Sequence, residues 1–268
     1  MKLSMSNLAW QAASIQDIAP VLKSAGLDGI EIAPTVLWPE APVMPMQVVS
    51  TYAKALQDYG LEVSGIQSLL FGKPDYQLLD RSTWPQLLTH LKSMIQIARA
   101  LDAHVAVFGS PKNRIKGSLS TEQANDLATE FFVALTPFLQ DNGVILTLEP
   151  NAPAYGADFL THYVETVSLA DRIDSPWIQP QIDTGCMSLV HEDSVLATRL
   201  RKPKHVHISA EGLTPPQNGV DQTLFSAELH AVDYSDWVVL EMLPENNNVL
   251  DSIAQAALWL HDTFKGNS

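Results

Sequence analysis

Four side chains able to hold a metal ion or move a proton stand at the ends of short apolar runs. Glu149 closes Val144-Ile-Leu-Thr-Leu148, Asp183 closes Ile178-Gln-Pro-Gln-Ile182, His207 lies within His205-Val-His-Ile-Ser209, and Glu241 follows Val238-Val-Leu240. Side chains alternate along a strand, so Ile145, Thr147 and Glu149 share one face while Val144, Leu146 and Leu148 share the other. A carboxylate closing a buried strand is costly to desolvate unless something holds it, and a metal ion is the usual holder. Three carboxylates and one imidazole suit a single divalent ion: Mn²⁺, Mg²⁺ or Co²⁺ are favoured, Zn²⁺ is compatible, and thiolate-seeking metals are not. A lone acid at a strand end is more often a cap or an ion-pair partner. Four such ends in register on consecutive strands argue for one site. His205 shares a face with His207 but lies deeper, and reads as a hydrogen-bonded core histidine.

Positioning these groups requires strands that end together. Strands are expected at Lys2–Ala9, Ile30–Pro34, Val63–Leu70 and His104–Gly109, followed by the four that carry the candidate ligands. Between them the apolar period turns helical: Ser14–Ala25 ends at Gly26, the next helix ends at Gly60, and Trp84, Leu87, Leu91, Ile95 and Ala98 line one face of a third. Ser120 and Gln123 form a capping box for a helix with Leu127, Phe131, Leu135 and Phe138 inward. A short helix is expected near Leu224–Leu229, a last one over Leu250–Phe264, and Lys265–Ser268 reads as a frayed end. Eight strands alternating with helices, without a linker or a short repeat, predict a single α/β domain over 1–268. It would be a (β/α)8 TIM barrel with its active site at the C-terminal ends of the strands. A doubly wound sheet is the rival, but no Gly-rich dinucleotide fingerprint follows the first strand.

Composition excludes more than it identifies. The apolar fraction of 46 % supplies one ordinary core. Thirty acids against sixteen Lys and Arg give a formal charge of −14, which repels nucleic acid and anionic membrane. The opening MKLSMSNLAW lacks the apolar core of a signal peptide, and no run reaches membrane-spanning length. The lone Cys186 rules out an intrachain disulfide framework and fits a reducing cytoplasm.

The order Leu148-Glu-Pro-Asn151, Ile182-Asp-Thr-Gly185, His205-Val-His207 and Leu240-Glu-Met242 resembles the xylose-isomerase-like barrels of the sugar phosphate isomerase/epimerase superfamily. Ser6-Asn-Leu-Ala-Trp10, Glu31-Ile-Ala-Pro-Thr35, Val107-Phe-Gly-Ser-Pro-Lys-Asn-Arg114 and Tyr155-Gly-Ala-Asp-Phe159 extend the resemblance over nearly the whole chain. It implies a sugar or sugar-derivative isomerase or epimerase whose divalent ion polarises a carbonyl and its neighbouring hydroxyl. Glu149 and Glu241 would be the catalytic pair, exchanging a proton through an enediolate, with Asp183 and His207 mainly structural ligands. Barrels of this group often pair, so a homodimer is an expectation, with the Pro-rich 36–46 segment as interface or lid.

Departures narrow the expectation. Where ketose epimerases of the group carry a substrate-contacting His three residues after the Asp ligand, this chain has Cys186. Ser209, Ala210 and Glu211 replace a Lys or Arg after the metal-binding His, and Tyr155 replaces an acid six residues past the Glu. These departures point away from a free-ketohexose epimerase, and Cys186 reads as a small apolar filler. Asn7, Gln67 and Asn151 are candidate hydroxyl binders, Glu31 joins them or the metal, and Trp38 and Phe71 are candidates to stack on a sugar face. Lys112 and Arg114, with Lys116, are candidates to hold a phosphate or carboxylate. Rival readings are a dehydratase of a keto-polyol, a phosphodiesterase of the endonuclease branch, and a barrel that binds a sugar without turning it over. The ligand set and the charge point away from DNA cleavage.

Overall fold

A computed structural model describes residues 1–10, 14–41, 43–219, 221–244 and 248–266, so Pro42 of the Pro-rich segment and the final two residues of the expected frayed end lie outside it. Eight parallel strands close on themselves in chain order: β1 Lys2–Ser6, β2 Gly29–Ile32, β3 Glu62–Ile66, β4 Val105–Phe108, β5 Ile145–Leu148, β6 Ile178–Asp183, β7 His205–Ile208 and β8 Trp237–Leu240. β8 pairs back onto β1 through Lys2 with Trp237 and Met5 with Leu240. The fold is the expected (β/α)8 TIM barrel.

Helices surround the strands: α1 Ile15–Ser24, α2 Pro34–Leu37, α3 Met46–Asp58, α4 Trp84–Ala100, α5 Thr121–Asn142, α6 Tyr163–Ile173, α7 Thr184–Leu189, α8 Ser194–Leu200, α9 Thr223–Ala231 and α10 Val249–Phe264. Their starts follow local chemistry. Ser120 accepts from the Gln123 N–H while the Gln123 side chain accepts from the Ser120 N–H, the expected box at the head of α5. Gly143 ends that helix at φ +66°, a left-handed conformation that favours glycine. Among the described residues no helix is long and apolar enough to cross a membrane.

The first four strands all stop short of their expected ends, β1 and β3 by the most. β1 stops at Ser6 because Asn7–Trp10 winds into a 3₁₀ turn, and β3 stops at Ile66, two residues before Ser68 adopts φ +55°. The short α7 was not anticipated. It starts at once after β6 because the Asp183 carboxylate accepts the Cys186 N–H at 2.6 Å and so caps it.

The apolar core lies mainly between strands and helices, with Leu22, Leu91, Phe131, Leu135 and Leu260 all buried against the sheet. Inside the barrel the packing is unusually polar for this architecture, whose interior is commonly filled by Val, Ile and Leu. Ser4 donates to Ser64 at 2.8 Å, Thr147 to Gln181 at 2.6 Å, and Gln67 to Glu31 at 2.9 Å. Buried polar groups must be hydrogen-bonded, and these chains run upward to the mouth.

Candidate active site

Strand register brings the four expected ligands together. Asp183 on β6 lies opposite His207 on β7, and Ile208 opposite Leu240 places Glu241 next in line on β8. Around His207 Nδ1 the nearest oxygens of Glu149, Glu241 and Asp183 lie at 2.9, 3.5 and 3.9 Å. Nδ1 is fully buried and has no aligned hydrogen-bond partner. Glu149, Asp183 and His207 each offer an atom such that all three lie within 4.8 Å of one another. An orphaned imidazole nitrogen facing three acids fits a divalent cation, and its mixed oxygen and nitrogen donors suit a hard or borderline ion.

Two of the expected ligands, Glu149 and Asp183, are held by neighbouring side chains. Gln181, two residues before Asp183 and on the same face, donates to Glu149 Oε1 at 2.8 Å, and Asn151 donates to Glu149 Oε2 at 3.2 Å. Ser209 Oγ donates to Asp183, lying 3.0 and 2.9 Å from its two oxygens. Gly109 stands so close that a Cβ there would lie 2.2 Å from Glu149 Oε2. Gln181, Ser209 and Gly109 were not anticipated, though the first two share a strand face with an expected ligand two residues away.

Electrostatics follows from crowding like charges. Burial, then the neighbouring Glu149 and Glu241 carboxylates, push Asp183 up to about 7. Burial likewise raises Glu241, with Glu149 and Glu31 adding to it and His207 opposing. For His207 burial acts downward, but Glu31 and Glu241 outweigh it and hold the imidazole well above its usual range. The acids thus draw a proton onto the ring at the place a cation would neutralise them.

Several expected binders sit elsewhere. Glu31 is wholly buried one layer below the mouth, and its carboxylate joins His205 and His207 in a second group that could hold a metal. His205 Nε2 hydrogen-bonds its Oε1 at 2.7 Å, and its Oε2 lies 2.9 Å from His207 Nε2. Its carboxyl is held at about 2: burial raises it, but His207 and His205 prevail. His205 is therefore the expected core histidine. Asn7 is also buried and occupied, accepting from the Ala33 N–H at 2.7 Å and donating to the Ala33 carbonyl at 3.4 Å. Arg114, a candidate to hold an anion, is fully buried, and among the described residues its three guanidinium nitrogens have no hydrogen-bond partner. Burial lowers it to about 10 against the opposing pull of Glu149, Cys186 and Glu165.

Gln67 and Asn151 do reach the cavity above the ligands, which measures about 230 Å³. Gln67 Nε2 already donates to Ser6 Oγ at 2.6 Å and to Glu31, whereas the buried Asn151 Oδ1 has no hydrogen-bond partner among the described residues. Leu8, Val107 and Leu213 give the cavity apolar walls, and Tyr155 and Cys186 complete them. Burial, then Asp183 and Glu149, push the Cys186 thiol far up, so it is no thiolate. Lys112 faces a neighbouring cleft instead.

No curated protein matches the sequence. Among solved structures, a 3-keto-D-glucoside 4-epimerase from E. coli superposes with a TM-score of 0.80 at 17 % identity, over 97 % of this chain and 99 % of its own. A D-psicose 3-epimerase from Clostridium cellulolyticum H10, with D-tagatose, gives 0.81 at 16 % identity over 98 % and 99 %. A family 2 AP endonuclease from Brucella melitensis gives 0.77 at 18 % over 96 % and 98 %. Likeness at this identity is likeness of fold, and one fold hosts many chemistries. The family model described as xylose isomerase-like TIM barrel matches residues 20–263, and the chain belongs to that family.

Proposed function

We propose that this protein is a divalent-metal-dependent isomerase or epimerase of a small sugar or sugar derivative. The observation that carries the reading is the meeting of three acids from three strands around the unpartnered Nδ1 of His207. Glu149, Asp183, His207 and Glu241 would hold the ion, which supplies Lewis acidity toward a carbonyl and its adjacent hydroxyl.

Everything else falls to the chain. Gln181 and Asn151 fix both oxygens of Glu149, so that one carboxylate lone pair faces the cavity. Glu241 approaches the same imidazole from β8, its Oε2 3.5 Å from Nδ1. One of the two glutamates removes a carbon-bound proton and the other returns one. Return to the opposite face of the same carbon inverts it; return to the neighbouring carbon interconverts aldose and ketose. Asn151 Oδ1 accepts a substrate hydroxyl. The apolar walls restrict water around the enediolate, and a cavity near 230 Å³ admits a monosaccharide-sized core.

One feature favours a second reading, loss of water from a keto-polyol. Tyr155 lines the cavity, its oxygen accepts the Gly212 N–H at 2.9 Å, and burial raises its phenol, so it keeps a proton to give a departing hydroxyl.

The test is solvent deuterium entering carbon-bound positions of a sugar and sugar-derivative panel, with bound metal measured in parallel. Wash-in beside a carbonyl that needs metal and falls about a hundredfold or more in both Glu149→Gln and Glu241→Gln supports the reading. Wash-in accompanied by loss of water selects the lyase. Failure to bind metal at these four residues sinks both, and metal without exchange on any probe leaves a binding barrel.

A further inference from the structure

Beside the metal cavity lies a second cleft, of about 440 Å³, that the reaction above does not use. Its walls come from two loops, one after β3 and one after β4, and each brings a lysine: Lys73 and Lys112. In a chain of net charge −14 two cations facing one cleft are conspicuous. Among the described residues neither lysine is in an ion pair; the Lys73 ammonium lies 6.0 Å from the centroid of the Tyr76 ring.

The two loops are stitched together. The buried Asn113 side chain donates to the carbonyls of Lys73 and Tyr76, each at 2.7 Å, and the Leu78 N–H donates to the Asn113 carbonyl at 2.8 Å. Gln77 Nε2 returns the connection, donating to the carbonyls of Lys112 and Pro74, each at 2.8 Å. The lysine backbones are thereby fixed relative to each other before any ligand arrives, which lowers the ordering cost of binding.

Ser68, Ser110 and Pro111 line both this cleft and the metal cavity, so the two adjoin across a shared wall. Ser68 and Ser110 both take left-handed backbone conformations, at φ +55° and +49°. Such conformations are uncommon outside glycine and collect where a ligand must be met at close range. Phe71, 72 % exposed, stands on the same cleft as an apolar flank.

We propose that Lys73 and Lys112 form an anion subsite, which takes a phosphate or carboxylate borne by the substrate whose reacting carbon lies over Glu149 and Glu241. The proposal rests on the preceding reading only in placing that reacting carbon. The substrate class becomes an anionic sugar derivative, a sugar phosphate or a sugar acid. An ammonium pair serves either group as point charges.

Calorimetry with three probes tests it: a ketohexose, its 6-phosphate and the matching 2-keto sugar acid, each on metal-loaded wild type and on Lys73→Ala/Lys112→Ala, with inorganic phosphate as a fourth titrant. At least one anionic probe is expected to bind about tenfold more tightly than the neutral sugar to wild type. That ratio should fall toward one in the double variant and shrink with added salt. Whichever anion keeps the advantage identifies the source. Equal affinity for all three sugars overturns the subsite, as does an advantage that survives both substitutions, or no binding of any probe including phosphate. If the advantage holds while Glu149→Gln and Glu241→Gln leave exchange intact, the subsite stands and the proton-transfer reading falls. Metal-dependent exchange of neutral sugars without any anion advantage does the reverse: the subsite falls and the proton-transfer reading stands.

Discussion

Acids at the two ends of this barrel are treated in opposite ways. At the floor, where the strands begin, Glu62 pairs with Lys2 at 2.6 Å, Asp236 with Lys204 at 2.6 Å and Asp28 with Lys265 at 2.7 Å. At the mouth, Glu149, Asp183 and Glu241 crowd one imidazole, and the nearby cation Arg114 makes no hydrogen bond to any of them. The floor cavity is the larger, about 380 Å³ against 230 Å³, and Glu62, Lys204 and Asp236 line it. Size therefore does not mark the site. Charge left uncompensated does, because burying like charges together destabilises the fold unless a ligand offsets it, and barrels put stability at the floor and chemistry at the mouth.

The sharpest way to break this contrast is the same change at each end. Glu241→Gln should reduce metal-dependent exchange about a hundredfold or more. The metal-free variant should meanwhile melt at a higher temperature than the metal-free parent, because a buried carboxylate raised by its neighbours has gone. A variant that exchanges normally, or that melts lower without metal, would remove Glu241 from the uncompensated set.

A smaller effect is expected one layer out. Ser209→Ala takes a hydroxyl from both oxygens of Asp183 without touching a ligand. Metal affinity should weaken about 10- to 100-fold, as for other groups that orient ligands, while thermal stability at the floor is unaffected. Titration with Mn²⁺ or Co²⁺ reads this directly. An unchanged dissociation constant would mean that α7, through the Cys186 N–H, orients Asp183 by itself.

What the sequence disclosed follows the same contrast. The convergence of Glu149, Asp183, His207 and Glu241 was legible because three of them close an apolar run and His207 stands one residue before the end of another, and parallel strands in a barrel end together. Glu31 was not. Alternation tells which face a residue takes but not its depth, and Glu31 stands before Ile32 and Ala33, below the mouth at about 3.3 Å per residue. Asn7 reads as a hydroxyl binder from the sequence, whereas β1 ends early and the Asn7 amide ties the β2 end instead. Arg114 follows a Ser-Pro-Lys-Asn stretch that reads as a solvated loop; its burial depends on Asn113 pinning that loop to the one after β3, a contact 40 residues away. The closed barrel itself was legible throughout, since it needs only the alternation of strand and helix.

pH separates the two ends further. Asp183 is raised from 3.8 to about 7, so below its unfolded value its contribution is fully present, and it is lost as pH rises through about 7. His207, raised from 6.5, acts in the same direction: its stability is complete below 6.5 and disappears as pH rises through its elevated folded value. The depressed His205 and His90 act the opposite way around pH 6.5, but Asp183, Glu241 and His207 outnumber them, so metal-free protein should melt at lower temperature at about pH 8 than at about pH 5. Added metal should stabilise more as pH rises, because its ligands must shed protons to bind. Calorimetric scans with chelator and with Mn²⁺ measure both slopes. A metal-free melting temperature that is flat or climbs over this range contradicts the crowded-acid account.

The least effect belongs to the floor. Glu62→Gln removes a charge whose side chain is 59 % exposed and whose partner, Lys2, keeps a second contact with the Trp237 ring at 5.2 Å. An exposed ion pair is worth about 1 kcal/mol or less, since water screens it and two long side chains must be ordered to form it. Denaturant unfolding should shift by no more than that, and deuterium exchange and metal affinity should stay at the parent's values. The small result matters because β1 joins both ends: it pairs with β8 from Lys2 at the floor to Met5 opposite Leu240, just before Glu241. A change in exchange rate on removing Glu62 would show that strain travels along that strand, and the barrel's two ends would then be one electrostatic unit rather than two.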